Sequence, residues 1–225
     1  MGILSGQSDF FGLDIGTSAL RAVELRGRGA AKALVHYGQV QVAGTAALSD
    51  AEIDRQKIAQ AIKDLIKQSG IETRNVAVNL PSHKVFTTVI DMDKAVEADL
   101  DKTIRYQADS IIPTPIALSK IDWVVTGPSP TDASKIEVLL TSVSNSFIED
   151  RLELVELSGL NVVAMEPDSM ALARALSSPD VALPQMILDI GNTATDLVIV
   201  ASGIPRLARS IPVGLQAIVR AAISS

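Results

Sequence analysis

The chain has no cysteine and only two histidines among its 225 residues. The absence of thiols excludes a disulfide framework and a thiolate-bound metal ion. The histidines, His36 and His83, lie far apart in the sequence, and this spacing does not suit a zinc site. The sequence therefore predicts neither a disulfide-stabilised domain nor a zinc site.

The chain also lacks a long uninterrupted apolar run. Residues 1–9 contain neither a basic segment nor an apolar core, so they are not expected to form a signal peptide. A membrane-spanning helix needs about 20 apolar residues, and the most apolar stretch, residues 181–200, is interrupted by a proline, two aspartates and an asparagine. We therefore expect that any work at a membrane depends on another protein that holds this chain there.

Basic residues are outnumbered by acidic ones, with 20 lysines and arginines against 26 aspartates and glutamates and a formal net charge of −6. Phosphate backbones are bound by clustered lysine and arginine, so nucleic acid is not an expected partner. An anionic membrane would likewise not hold the chain by charge alone. Because 47% of the residues are hydrophobic, an ordinary value for a globular protein with a sizeable core, we expect a soluble cytoplasmic protein.

Hydrophobic patterning predicts a mixture of strands and helices. Short or alternating apolar runs, bounded by glycine, proline or polar turns, predict strands at 11–16, 19–25, 33–42, 75–80, 85–92, 121–126, 136–142, 161–165, 185–190, 196–202 and 205–211. Helical periodicity predicts helices at 49–69, ended by Gly70, and at 96–110, 144–158, 167–176 and from 213 onwards. Segments of these kinds are typical of α/β or α+β proteins.

One short segment occurs twice in the same context. Residues 13–20 read LDIGTSAL and residues 188–195 read LDIGNTAT, and each joins a predicted strand to the strand that follows. A single Asp-Ile-Gly favours an ordinary β-turn. Two copies in the same strand context, at opposite ends of a long insert, instead favour a pair of phosphate-binding hairpins. We expect these hairpins to bring Asp14 and Asp189 face to face across a common cleft.

Each copy supplies groups that suit a phosphate ligand. The glycines permit a tight turn and a close approach of the backbone, and the N–H groups that follow can form an anion nest. Hydroxyl groups and the Arg21 guanidinium can donate to phosphate oxygens, and Asp14 and Asp189 suit Mg²⁺ held through water. The residues predicted to bind phosphate are Asp14, Gly16, Thr17, Ser18, Arg21, Asp189, Gly191, Asn192, Thr193 and Thr195.

A third segment combines the end of a strand with the start of a helix. Glu166 precedes Pro167, and proline is common at the first position of a helix. A carboxylate at this junction can orient a water molecule near a γ-phosphate, which makes Glu166 the candidate catalytic residue. A capping or solvated glutamate is the alternative, and the sequence favours neither.

These three segments, in this order, resemble the actin, Hsp70 and FtsA superfamily. Residues 14–21 resemble its phosphate-1 motif, Glu166-Pro167 resembles the Asn-Glu-Pro-Thr-Ala-Ala-Ala segment of Hsp70 proteins, and residues 189–195 resemble phosphate-2. Residues 106–116, followed by Asp122-Trp123, resemble the small 1C subdomain of the FtsA/PilM type. The resemblance implies an α/β, actin-like ATPase fold of the ribonuclease H-like class with an inserted 1C subdomain.

The resemblance also implies subdomain boundaries and two departures. We expect the first part of subdomain 1A at 1–77, the 1C insert at 78–164, the end of 1A at 165–182 and the start of domain 2 at 183–225. Asn192 is not the commonest choice in phosphate-2, and a single glycine, Gly214, stands where a double glycine is usual. The adenosine-binding segment of the superfamily is expected after Ser225, so we expect weak nucleotide binding and at most a weak ATPase.

A further implication of the FtsA/PilM resemblance is a scaffold role in type IV pilus assembly and twitching motility, with ATP and Mg²⁺ as cofactors. Proteins of the PilM type lie on the cytoplasmic face of the inner membrane. They bind the N-terminal peptide of PilN, a bitopic membrane protein, in a groove between subdomains 1A and 1C. Tyr106, Ile111 and Ile112 are the predicted peptide contacts, although core packing explains each equally well. Pilus motor ATPases are further candidate partners, and the membrane is reached only through partners.

Two other functions remain open from the sequence. A working ATPase or sugar kinase of the same superfamily would need an acidic sugar-binding base, and the sequence has no dedicated pattern for one. An FtsA-like division protein would carry a C-terminal amphipathic membrane helix and would form filaments on lipid with ATP.

Overall fold

The structure, a computed structural model, describes residues 9–28, 31–42, 51–94, 99–178, 181 and 183–224. The strands in these residues are β1 (Phe11–Ile15), β2 (Ala19–Arg28), β3 (Ala31–Gln41), β4 (Asn75–Leu80), β5 (Val85–Asp93), β6 (Ser119–Pro128), β7 (Lys135–Ser144), β8 (Asn161–Pro167), β9 (Gln185–Ile190), β10 (Thr195–Ala201) and β11 (Ile204–Ile211). The α-helices are α1 (Glu52–Ser69), α2 (Leu100–Ile111), α3 (Asn145–Leu157), α4 (Asp168–Leu176) and α5 (Leu215–Ser224). The chain divides into unit 1, Met1–Leu80 with Asp150–Glu166, and unit 2, Pro81–Glu149 with Pro167–Ser225.

Unit 1 contains a five-stranded sheet with the order β3-β2-β1-β4-β8. β1 is antiparallel to β2 and parallel to β4. The N–H of Asn161, the first residue of β8, donates to the carbonyl of Arg74, next to the start of β4, over 2.8 Å. β8 therefore begins at the same edge as β4, and the two strands run parallel. The carboxyl ends of β1, β4 and β8 consequently meet at one edge of the sheet, where ligands bind in many α/β folds.

Helix α1 packs against this sheet through one apolar stripe. Ile58, Ile62 and Leu65 recur at helical spacing and are buried. Gly70 ends the helix with a φ of 72°, which confirms its predicted role as a left-handed cap. The predicted first residues of the helix, 49 and 50, lie outside the described residues. The same core buries Phe11, Leu13, Ile15, Leu20, Ile66, Ile71, Val76, Val78, Val155 and Leu160.

In unit 2, β5, β7 and β6 form an antiparallel sheet with β7 in the centre. Helix α2 packs on this sheet because Leu100, Ile104 and Ala108 are four residues apart and fall on one helix face. The helix was predicted from 96, and residues 95–98 lie outside the described part of the chain. The buried partners of α2 on the strands are Ile90, Met92, Ile136, Val138 and Leu140.

The C-terminal part of unit 2 is an antiparallel meander of β9, β10 and β11. Val198 and Val200 on β10 pack with Ala173 of α4 in a small buried cluster. The guanidinium of Arg206 on β11 pairs with the carboxylate of Glu137 on β7, whose side chain is 10% exposed. Because separation of a buried ion pair leaves a charge without a partner, this contact ties the two sheets of unit 2 to each other.

The predicted α/β class and the predicted sequence of strands and helices are confirmed. Strand β2 extends three residues beyond the predicted end at 25, to Arg28, because it pairs with β3 along its whole length. The contact-based division falls after Leu80, Glu149 and Glu166, and the subdomain boundaries expected at 78, 165 and 183 stay a prediction. None of the helices that the structure describes is long and apolar enough to cross a membrane.

Unit 1 also buries a carboxylate. Glu24 on β2 is 1% exposed, its Oε2 lies 2.8 Å from Nδ1 of His36 on β3, and its Oε1 accepts a hydrogen bond from Arg26 over 3.2 Å. The hydrogen bond with His36 is the largest cause that lowers the pKa of Glu24 below its ordinary value of 4.5, and Arg26 adds to it while burial opposes. The charged form of Glu24 is therefore favoured by folding.

We expect Glu24→Gln to reduce the free energy of unfolding at pH 7 by about 1.5–3 kcal/mol, because two hydrogen bonds to a buried charge are weakened. A carboxyl group with a lowered folded-state pKa stabilises the fold above its unfolded-state pKa, and loses this effect as the pH falls through the folded-state pKa. The difference between wild type and Glu24→Gln should therefore shrink below about pH 4.5. Urea unfolding across this pH range measures it.

Glu72→Gln is the matched control, because Glu72 is an exposed residue of the same unit. It should leave the free energy of unfolding unchanged at every pH. If the loss of unfolding free energy in Glu24→Gln stays constant down to about pH 3, packing rather than charge accounts for the stabilising role of Glu24.

Candidate functional site

The two repeated segments fold into the same turn. In the first, the N–H of Gly16 donates to the carbonyl of Ala19 over 3.1 Å, and in the second the N–H of Gly191 donates to the carbonyl of Ala194 over 2.9 Å. A Cβ atom at either glycine would lie 2.9 Å from that carbonyl oxygen, which is closer than side chains tolerate. Both turns therefore require glycine, in agreement with the expected tight turn.

The strands that flank the two turns also pair in the same register. Asp14 lies opposite Arg21 in the first hairpin, and Asp189 lies opposite Asp196, the equivalent position, in the second. Directly opposed residues point to one face of a sheet. The hairpins thus share their backbone geometry, but the first places a cation beside its aspartate and the second places another carboxylate there.

Asp14 is held from both neighbouring strands. Its Oδ2 accepts a hydrogen bond from the guanidinium of Arg21 on β2 over 2.8 Å, and its Oδ1 accepts one from the side-chain amide of Asn79 on β4 over 3.0 Å. The Oδ1 of Asn79 in turn accepts from the N–H of Ile15 over 2.8 Å, and Arg21 also donates to Gln39 over 3.1 Å. The Asp14 side chain is 41% exposed, so its carboxylate is fixed in orientation and still reachable by a ligand.

Glu166 lies at the same edge of the unit 1 sheet as Asp14. It is the last residue but one of β8, helix α4 begins two residues later at Asp168, and the side chain is half-buried. Because β1, β4 and β8 run parallel, their carboxyl ends bring Asp14, Asn79 and Glu166 to one edge. This edge carries two carboxylates and one amide, which can orient water or a metal-bound ligand.

In the second hairpin, the turn is closed against the start of α5. The N–H of Leu215 donates to the carbonyl of Gly191 over 2.9 Å, and the N–H of Gln216 donates to that of Asn192 over 3.1 Å. A Cβ at Gly214 would lie 2.6 Å from the Gly191 oxygen. The turn thus caps the first N–H groups of α5, and its carbonyls are directed toward the helix.

The hydroxyl groups predicted to contact phosphate lie in or beside the two turns. Thr17 and Ser18 are half-buried in the first turn, and Thr193 is exposed in the second. The Thr195 hydroxyl donates to the carbonyl of Val213 over 2.7 Å, so it serves the contact between the hairpin and the segment before α5. Asn192 is half-buried next to Gly191.

Asp189 and Asp196 form a pair of opposed carboxylates in unit 2. The Oδ1 of Asp196 is buried and has no hydrogen-bond partner among the described residues. Two opposed carboxylates, one with an oxygen that lacks a partner among the described residues, fit a hard cation such as Mg²⁺, which keeps several water ligands. The described residues contain no group of three or more acidic, histidine or cysteine ligands, so water and phosphate oxygens would have to complete the coordination.

The residues predicted to bind a peptide lie in or directly after α2 of unit 2. Tyr106 is 85% exposed and Ile111 is 38% exposed, whereas Ile112 is 8% exposed. Ile112 packs in the core of the β5-β7-β6 sheet. Tyr106 and Ile111 are therefore accessible at the surface of α2, whereas Ile112 belongs to the core of unit 2.

Sequence reasoning missed three residues of the site. Asn79 is a polar residue near the end of an apolar strand, two residues before Pro81, and this position is the signal that could have identified it. Asp196 is an aspartate at the second position of the largely apolar strand β10. Gly214 was noted only as a departure from a double glycine, and its backbone contact with the turn was not foreseen.

The hairpin of Asp14 belongs to unit 1, together with Glu166, and the hairpin of Asp189 belongs to unit 2. Each half of the candidate site is defined within its own unit. The expectation that Asp14 and Asp189 face a common cleft stays a prediction.

Comparison with known proteins places these features in a family. A family model described as type IV pilus assembly protein PilM matches residues 12–215. A chain of the PilM–PilN type IV pilus biogenesis complex is 23% identical, with a TM-score of 0.83, and the match covers 97% of this chain and 66% of that chain. The present chain therefore spans less than two-thirds of the length of this similar structure.

Two further solved structures are similar at lower identity. The cytoplasmic domain of EpsL, an inner-membrane component of the type II secretion system of Vibrio cholerae, is 12% identical with a TM-score of 0.59, over 91% of this chain and 71% of that chain. The ethanolamine utilization protein EutJ from Carboxydothermus hydrogenoformans is 14% identical with a TM-score of 0.50, over 99% and 59%. At these identities the similarity shows a shared actin-like ATPase fold.

We expect Gly214→Ala to destabilise the chain, because the new Cβ would lie 2.6–2.7 Å from backbone atoms of the Gly191–Ala194 turn. Overpacking of this kind costs about 1–3 kcal/mol. Urea unfolding measures the loss, and NMR spectra should show the largest amide shifts at 191–195 and in α5.

Gly12→Ala is the control, because a Cβ at Gly12 would meet its nearest atom at an ordinary 3.8 Å. This variant should unfold like the wild type. Equal stability of Gly214→Ala and Gly12→Ala would contradict the close contact between the turn and α5.

Proposed function

Because the chain belongs to the PilM family of type IV pilus assembly proteins, we propose that it is a nucleotide-binding scaffold that holds the N-terminal peptide of a PilN-like bitopic membrane protein. In this proposal the chain is cytoplasmic and reaches the inner membrane only through that partner. Pilus motor ATPases are further proposed partners. The observation that carries the proposal is the family match over residues 12–215, and the structural similarity to a chain of the PilM–PilN complex supports it.

The proposed ligand of the two hairpins is ATP with Mg²⁺, in which the cation neutralises charge on the phosphate oxygens. The repeated Gly16 and Gly191 turns let backbone N–H groups approach phosphate. Arg21 and Asn79 fix the carboxylate of Asp14, so that it is oriented before the ligand binds. This arrangement supports a role in holding metal-bound water.

In this proposal, Asp189 and Asp196 bind the cation more strongly than Asp14 does. Opposed carboxylates repel each other in the absence of a cation, and the buried Oδ1 of Asp196 lacks a partner among the described residues. A bound divalent cation would supply a partner for this oxygen. Glu166, at the end of β8, is the candidate for orienting a water molecule near the terminal phosphate.

We expect Asp189→Ala to weaken the binding of Mg²⁺–ADP by about tenfold, which corresponds to about 1.4 kcal/mol. The reason is the loss of one of the two opposed carboxylates that support the cation. Isothermal titration calorimetry with and without EDTA measures the effect, and the difference between wild type and variant should disappear when Mg²⁺ is removed.

Asp109→Ala is the control for this measurement, because Asp109 is an exposed aspartate on α2. It should bind Mg²⁺–ADP with wild-type affinity. If Asp189→Ala binds as tightly as Asp109→Ala in the presence of Mg²⁺, the assignment of the second hairpin to the nucleotide is wrong.

The peptide is proposed to dock beside α2. Large, exposed aromatic side chains are frequent anchors in binding interfaces, and Tyr106 is 85% exposed while its helix is held by Leu100, Ile104 and Ala108. Ile111, at the end of the same helix, is 38% exposed and is a second candidate contact, whereas Ile112 packs in the core. A rigid helix with an exposed aromatic residue suits an apolar peptide segment.

We expect Tyr106→Ala to weaken binding of a synthetic PilN-like N-terminal peptide by about tenfold or more, since loss of an aromatic anchor costs about 2 kcal/mol. Fluorescence anisotropy of a labelled peptide measures the affinity. Tyr37→Ala is a matched control, because Tyr37 is the other tyrosine, is 71% exposed and lies in unit 1.

Tyr37→Ala should bind the peptide like the wild type. Equal losses in both variants would indicate nonspecific adhesion to tyrosine. Absence of saturable binding by the wild type would remove the scaffold function from the proposal, while leaving the nucleotide measurement unaffected.

A further inference from the structure

Unit 2 contains a cavity of about 240 Å³ that belongs to neither hairpin turn. It lies where the short 3₁₀ turn before β5 and the first residues of β5 meet β11 and the first turn of α4. This volume is below the roughly 300–1,000 Å³ of pockets that enclose drug-sized ligands. The cavity therefore suits a ligand with few atoms.

The lining of the cavity is rich in hydrogen-bond donors. Six of its nine residues are polar, and three apolar residues complete the wall. Aspartate and glutamate are absent from the lining, whereas arginine, imidazole and hydroxyl groups can all donate. The polar lining residues are Ser82, His83, Thr87, Ser169, Arg209 and Ser210.

One lining hydroxyl has an unmet hydrogen-bonding requirement. The Oγ of Ser82 is buried and has no hydrogen-bond partner among the residues that the structure describes. A buried polar atom without a partner costs about 1–3 kcal/mol, so such an atom on a residue that lines a cavity favours a ligand that accepts or donates there. Ser169 is a second buried hydroxyl residue in the wall, at 3% exposure.

Among the residues that line the cavity, Arg209 carries a permanent positive charge. The guanidinium of Arg209 donates to the neighbouring carbonyl of Ala208 over 2.8 Å, and it forms no ion pair with any residue that the structure describes. Arg206, three residues earlier on the same strand, instead pairs with Glu137. Ser169 is the second residue of α4, so the positive end of the helix dipole also lies at the wall.

We propose that this cavity binds a single phosphate-sized oxyanion, with Arg209 supplying the charge and Ser82, Ser169 and Ser210 supplying hydroxyl donors. Two carboxylates adjoin the lining without belonging to it: Asp168 precedes Ser169, and Asp196 lies opposite Ser210. Because these carboxylates repel an anion, we expect weak binding of inorganic phosphate, with a dissociation constant on the order of 1 mM.

The test is titration of the ¹⁵N-labelled chain with inorganic phosphate at constant ionic strength, followed by NMR. We expect saturable shifts of the amides of Ser82, His83, Ser169 and Ser210. ADP is titrated separately: shifts at these amides with phosphate indicate a free oxyanion, and shifts with ADP alone indicate the phosphate group of a nucleotide. The absence of saturable shifts at these amides with either ligand would overturn the proposal.

Two variants sharpen the result. Arg209→Met should weaken phosphate binding at least fivefold, a change on the order expected for loss of one charge-assisted contact, whereas Arg220→Met, at an exposed arginine of α5, should change it less than about twofold. Equal effects of the two substitutions would show that general surface charge attracts the anion.

Ser82→Ala gives a readout that does not depend on the arginine. Without phosphate it should unfold at the same or a higher temperature than the wild type, because it removes a buried hydroxyl with no partner. With phosphate it should gain less stability than the wild type. A Ser82→Ala variant that binds phosphate like the wild type would contradict the assigned role of this hydroxyl.

Discussion

The orientation of the Asp14 carboxylate depends on the order of the strands, because its two hydrogen-bond donors come from the strands on either side of β1. Arg21 is supplied by the antiparallel neighbour β2, and Asn79 by the parallel neighbour β4. The second amide contact of Asn79, to the backbone of Ile15, locks the end of β1 to the end of β4. The sheet order β3-β2-β1-β4-β8 is thus a condition for the geometry of the first hairpin, and through β8 also for the position of Glu166.

The two hairpins repeat one backbone design with opposite charge arrangements. In the first, Arg21 neutralises its aspartate within the protein, so little is gained there by recruiting a cation. In the second, Asp189 and Asp196 oppose each other, and an oxygen of Asp196 lacks a protein partner among the described residues. Under the proposed function, Asp14 of the first hairpin orients water bound to the cation, and Asp189 and Asp196 of the second hairpin attract the cation itself.

Much of the fold was predictable because it rests on local signals. The apolar periodicity of α1, the left-handed cap at Gly70 and the repeated Asp-Ile-Gly turns are all set by residues close in sequence. The missed features join residues that are far apart: Asn79 meets Asp14, and Gly214 meets the Gly191 turn. The sequence left open whether Ile112 packs in a core or contacts a peptide, because its burial depends on strands that are distant in the sequence.

The contact between the second turn and α5 has a mechanical consequence. The carbonyls of Gly191 and Asn192 are the acceptors for the first N–H groups of α5, and among its described residues the helix buries no side chain. These backbone hydrogen bonds fix the first turn of α5 to the second hairpin. A displacement of the turn would therefore also displace the first residues of α5, which couples the position of this helix to the geometry of the hairpin.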